Sequence, residues 1–296
     1  MGVIATRVGG KVHDLGGFSV RRVLPSVACR SVGPFVFLDH IGPGRFEPGN
    51  GIDVRPHPHI GLATVTYLFE GALGHRDTLG SVQVIRPGDV NWMTAGRGIA
   101  HSERTPPEER AAGHGIHGLQ FWVGLPQEAE ETAPEFHHHP AASLPEWEQD
   151  GVRLRLLVGE AFGRRAPVKV YSPMFYVDAR MAAGSRLHVD APHAERGVLV
   201  LSGAVRLGGE PLPAGELAVL QPDVDADIDA DDEARLVLFG GAPLGPRHMW
   251  WNFVHSRRER IEQAADDWEA GRFAPVPGET EFIPLPERKP KTVDYP

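Results

Sequence analysis

Four side chains in the first half of the chain have the types and spacing to hold a metal ion: His57, His59, His101 and Glu103. His57 and His59 are two apart, so on a β-strand both point to one face, about 6 to 7 Å apart along the backbone and able to converge on one ion. Pro56 and Pro58 confine that strand to an edge or a strand start, because neither can donate to a ladder. The pair alone says little, since 15 histidines in 296 residues supply about 0.75 His-x-His pairs by chance. A second such pair stands at His137 and His139. The case strengthens beyond the Pro87-Gly88-Asp89 turn, where His101 and Glu103 share one face of another predicted strand. Three neutral imidazoles and one carboxylate suit Fe(II), with Mn, Co, Ni and Cu as other divalent choices. A dication so held keeps a charge near +1 and open positions for an anionic oxygen and dioxygen.

Strands must carry these groups, and short apolar or alternating runs bounded by Gly, Pro and Asp are frequent: Leu62 to Phe69, Val82 to Ile85, Leu119 to Val123, Leu154 to Val158, Phe175 to Met181, Val198 to Leu201 and Ala234 to Phe239. One late helix is expected, opened by a Ser256 and Glu259 capping box, striped by Ile261, Ala265 and Trp268, and stopped at Gly271. The stretch from Gln127 to Pro145, rich in Glu, Pro and His, reads as a linker, and the Pro-rich tail after Phe273 as an extended surface segment. The expected fold class is all-β, with two antiparallel β-barrels of jelly-roll type and a C-terminal helix. The domains are residues 1–130, which bind the metal, and 131–296, which carry the helix and tail.

Composition narrows the function. A net charge of −9 without a Lys/Arg cluster argues against direct nucleic-acid binding. Cys29 is the only cysteine, which excludes an internal disulfide and a multi-thiolate zinc site. No signal peptide and no apolar run of membrane-spanning length is expected, so the protein is read as cytoplasmic.

Other groups receive plainer readings. His137, His138 and His139 are taken as a solvated run in the linker, and His114 and His117 as loop groups or supports of the ligands. Trp92 and Phe121 are read as core, Cys29 as an inert buried thiol, and His188 and His193 as surface or turn residues.

A glycine frame repeats between the halves. Gly51, His57, His59, Thr64 and Gly71 follow the spacing of the first cupin motif, with Thr64 where a glutamate usually sits. Gly184, Asp190, Pro192, Arg196 and Gly203 keep the frame without the ligands. The reading is one metal-binding barrel and one structural barrel. The second cupin motif would put its histidine at position 99, which is Ile here; moving it to His101 keeps the same face.

Six stretches together resemble the pirin family: Phe37-Leu38-Asp39-His40, Arg55-Pro56-His57-Pro58-His59, His75-Arg76-Asp77, Asn91 through Ile99, His101-Ser102-Glu103 and Gly118 through Val123. The likeness is densest from about residue 35 to 126 and, counting the worn second repeat and late helix, extends to nearly the full chain. It implies a bicupin with iron in the N-terminal barrel on His57, His59, His101 and Glu103. It also implies one of two activities. The first is quercetin 2,3-dioxygenase chemistry, in which Glu103 is both ligand and base and the substrates are a small aromatic molecule and dioxygen. The second, from the similarity to animal pirins described as nuclear transcription co-regulators, is regulation through protein partners.

Overall fold

Burial alternates residue by residue along the strands Arg186–Val189 and Ala226–Ala230, so one face of each meets a core and the other meets solvent. The computed structural model describes residues 2–14, 18–286 and the backbone of 293–295. Every strand run expected from the sequence is found in a strand. Among the described residues no helix is long and apolar enough to cross a membrane.

Two compact units form, each discontinuous in sequence: residues 1–11, 22–37 and 142–243, and residues 12–21, 38–141 and 244–296. They differ from a single cut between 130 and 131. Ile4–Gly9 pairs with Glu216–Leu220, which draws the N-terminus into the unit built mostly from the second half. The late helix and its hairpin belong to the unit built mostly from the first half.

The first of these units sets an eight-stranded antiparallel sheet against a four-stranded one. Leu154, Val177, Val198 and Leu236 of the larger sheet share one apolar core with Leu187, Val205 and Ile228 of the smaller. A seven-stranded sheet and a second four-stranded one repeat the plan, and Leu68 and Ile116 of the larger meet Leu73 and Ile85 of the smaller in one apolar core. Neither pair of sheets closes into a continuous barrel; each is a two-layer antiparallel β-sandwich.

The repeated glycines do the same work in both units. Gly71 (φ +83°) and Gly203 (φ +79°) end matching strands in the left-handed region, and at each a Cβ would stand 2.3 Å from a backbone oxygen, that of Gly115 or Glu233.

Two sequence expectations are corrected. The segment read as a linker contains the strand Glu135–His139, which pairs with Val90–Thr94 at the edge of the seven-stranded sheet. Its polarity misled: an edge strand can satisfy its backbone by pairing on one side while carrying charged and imidazole side chains. His138 is accordingly half-buried, its ring 2.7 Å from Asn91 Oδ1, rather than solvated. The expected capping box does not form either. The helix Arg258–Glu269 has Arg257 as its N-cap with no side-chain cap, because Ser256 gives both its N–H and its O–H to the buried carboxylate of Glu130 (2.8 and 2.6 Å). Glu130 also meets the buried guanidinium of Arg247 at 2.9 Å, and a buried charge needs all these donors. Ile261, Ala264 and Ala265 do pack inward, and Gly271 (φ +68°) ends the helix as expected.

Candidate metal centre

The strand Asp53–His59 is the edge of the four-stranded sheet, so the missing N–H groups of Pro56 and Pro58 can face away from its one partner, Ile99–Arg104. Antiparallel register sets His57 opposite His101 and His59 opposite Ile99. The three imidazoles of His57, His59 and His101 therefore gather on one face, with ring centroids 4.4 to 5.1 Å apart and one ring nitrogen of each within 4.8 Å of the others. All three are buried, at 7%, 1% and 1% exposure.

Their hydrogen bonds leave lone pairs aimed at one another. His57 Nδ1 lies 2.9 Å from the Arg55 carbonyl and His59 Nδ1 lies 3.1 Å from the Asn252 carbonyl. A carbonyl only accepts, so each Nδ1 carries the proton and each Nε2 the lone pair. The Nε2 atoms of His59 and His101 are buried with no hydrogen-bond partner, an arrangement that is costly unless something else binds there. Burial pushes the His57 imidazole down to about 4, and burial with neighbouring imidazoles holds His59 and His101 well below the usual range, so the triad is neutral and basic toward a cation near pH 7. This donor set is one that can hold a metal ion.

Glu103 does not join the cluster. The pairing slips between His101 and Glu103, so Glu103 faces Val54 on one side and His75 on the other. Its carboxylate lies 3.5 Å from Thr66 Oγ1, and Thr66 gives a shorter bond, 2.8 Å, to Gln120 Oε1. Burial raises the Glu103 carboxyl to about 7 against the lowering pull of Thr66.

The sequence reading missed several groups around this centre. Trp122 stands edge-on to His59, with centroids 5.0 Å apart. His75 and Asp77, both buried, form a 2.9 Å pair beside His101, and Phe136 of the unforeseen edge strand stacks flat on His75. A further same-face spacing of two, His75 to Asp77, was the available signal. The groups given plainer readings fall into place elsewhere. His114 is buried against Phe46 and bonded to Thr105; His117 pairs with His40 at 2.8 Å; Trp92 and Phe121 are core. His188 is exposed beside Asp227, and His193 stacks on Phe175. Cys29 is half-buried rather than buried, with its thiol pushed up to about 11 by desolvation.

In the other unit the corresponding frame positions are Asp190, Pro192 and Arg196. Arg196 is buried and donates to the carbonyls of Asp190, Gln221 and Val224 at 2.7 to 3.0 Å.

A family model for pirin matches residues 17–123, and one for the pirin C-terminal cupin domain matches residues 176–274. A pirin-like protein of Caulobacter vibrioides is 50% identical over 278 residues, spanning 93% of this chain and 96% of its own length. The chain belongs to the pirin family. Human pirin is 33% identical over 261 residues, 85% of this chain and 87% of its own. The crystal structure of quercetin 2,3-dioxygenase from Acinetobacter baumannii covers 96% of both chains at 35% identity, with a TM-score of 0.88. As a pirin, the chain carries its histidine triad in the cupin nearer the N-terminus.

Proposed function

We propose that this pirin is a cytoplasmic, metal-dependent dioxygenase that opens the central ring of a flavonol such as quercetin, taking up one dioxygen and releasing one carbon monoxide. A divalent ion, Fe(II) first, is held by His57, His59 and His101, with Glu103 as fourth ligand and base. The observation that carries the reading is the inward-facing set of three neutral imidazoles, two of whose Nε2 atoms are buried without a partner. Similarity to the Acinetobacter baumannii enzyme supports the substrate class.

A bound divalent ion supplies Lewis acidity toward an anionic oxygen and access to dioxygen chemistry. The chain's own residues do the rest. Glu103, raised to about 7 by burial, is matched to take the proton of the flavonol 3-hydroxyl near neutral pH. Thr66, whose hydroxyl is 2.8 Å from Gln120 Oε1 and 3.5 Å from Glu103 Oε1, is the polar neighbour of that carboxyl group. Trp122 beside His59 presents an apolar wall that keeps water from the ligands.

The test is anaerobic loading with Fe(II), then oxygen uptake and carbon monoxide release with quercetin. Uptake matched by release in equal amounts supports the reading. A loaded protein that changes neither gas overturns it and turns attention to regulation through protein partners.

A further inference from the structure

His57 and His59 are oriented by backbone carbonyls, whereas His101 has a side chain for its partner: its Nδ1 lies 3.4 Å from His75 Nδ1. We infer that Asp77 and His75 form a relay that fixes His101 in the tautomer able to ligate an ion, with Asp77 setting the direction of each proton along it. This rests on the triad being a metal site.

Asp77 is fully buried; its Oδ1 accepts the N–H groups of Leu79 (2.9 Å) and Ser81 (3.0 Å). Its Oδ2 lies 2.9 Å from His75 Nε2. A carboxylate has no proton to give, so His75 Nε2 carries one. In its neutral form His75 then has only a lone pair at Nδ1, and the bond to His101 requires His101 Nδ1–H to donate. The lone pair of His101 is left on Nε2, the buried atom without a partner. Phe136, stacked on His75 with centroids 4.2 Å apart and planes at 13°, keeps the middle ring in line. Outer carboxylates and carbonyls that orient ligating histidines commonly change metal affinity 10- to 100-fold when removed.

The relay can be reversed by exchanging a single atom. In Asp77→Asn the two backbone N–H groups still demand an oxygen at Oδ1, so the amide nitrogen must face His75. It can only donate, which forces the lone pair of His75 onto Nε2 and its proton onto Nδ1. That proton points at His101 Nδ1, and the remaining proton of His101 moves to Nε2, where no ion can bind. In His75→Leu the ring is absent and His101 is free to choose its tautomer. The relay therefore predicts an unusual order, in which Asp77→Asn weakens binding more than His75→Leu does.

The experiment measures Ni(II) affinity by titration calorimetry for the full-length protein, Asp77→Asn, His75→Leu and His101→Ala, with thermal melts as a check of folding. It also records 15N spectra of the metal-free wild-type imidazoles. The expected results are at least about 10-fold weaker binding in Asp77→Asn, a smaller loss in His75→Leu, and His101 protonated at Nδ1. A folded Asp77→Asn with wild-type affinity beside a binding-defective His101→Ala overturns the relay, as does an unprotonated His101 Nδ1 in the wild type. Should His101→Ala itself bind Ni(II) like the wild type, the metal reading fails instead, and the 15N spectrum alone decides the relay. The same spectrum decides if Asp77→Asn does not fold.

Discussion

His59 donates its Nδ1–H to the carbonyl of Asn252 at 3.1 Å, across 193 positions of sequence. The carbonyl sits in the turn between the strands Arg247–Trp250 and Phe253–His255, so a segment near the C-terminus orients a ligand near the N-terminus. Phe253 anchors that hairpin: it is fully buried against Ile60, Trp250 and Ile261. Phe253→Ala should cost about 3 to 5 kcal/mol of stability and weaken metal binding about 10-fold. Denaturant melts and a metal titration check both. Unchanged affinity in a destabilised variant would show that the hairpin does not orient His59.

Glu103 lies outside the group formed by the three imidazoles, and a glutamine in its place keeps an oxygen able to ligate but no base, so this exchange should separate chemistry from metal content. Glu103→Gln keeps the shape and loses the base. Metal content should stay within about twofold of wild type while turnover of quercetin falls at least about 100-fold, the usual scale for a lost general base. Metal analysis and carbon monoxide release on one preparation test this, and an active variant removes the base from the scheme.

Acid should destabilise the metal-free protein. Burial lowers His57 from 6.5 to about 4, and His40 likewise, the latter with help from His117 and Arg21. Above pH 6.5 these groups are neutral in both folded and unfolded chains and have no effect. Between 6.5 and 4 the unfolded chain binds protons that the folded chain refuses, so stability falls, by about 3 kcal/mol for His57 alone. Below 4 the loss is complete. Urea denaturation across this range should show the slope, His57→Gln should lessen it, and a flat profile would contradict the burial argument.

In the other cupin unit, Arg196→Met should remove the donors of three carbonyls while filling a similar volume. A loss of about 3 kcal/mol is expected from buried acceptors left without partners, with metal content unchanged because no group in that unit belongs to the triad. Loss of metal in a folded variant would contradict the division of roles between the two units.

Much of this was legible in the sequence because period-two spacing is a local property. His57 with His59 and His101 with Glu103 announced two same-face pairs, and Gly71 and Gly203 marked the repeat. What could not be read was register and competition at a distance. The slip that sets Glu103 opposite Val54 depends on how two strands pair, not on either strand alone. Ser256 had the sequence of a helix cap, but Glu130, a buried carboxylate 126 positions away, claimed its hydroxyl. Glu135–His139 lacked an apolar face of its own and became a strand only because Val90–Thr94 offered a free edge. Asp77 and His75 were visible as a pair, yet their meaning depends on His101 lying one strand away.

Metal analysis of the purified protein beside His57→Ala, His59→Ala and His101→Ala bears most directly on the triad. One divalent ion per wild-type chain is expected, and in each variant a content below about one-tenth of that, since each substitution removes one of three protein nitrogens. A wild-type chain that takes up no ion when offered Fe(II) or Ni(II), or variants that retain it in full, would show that the three imidazoles do not hold a metal.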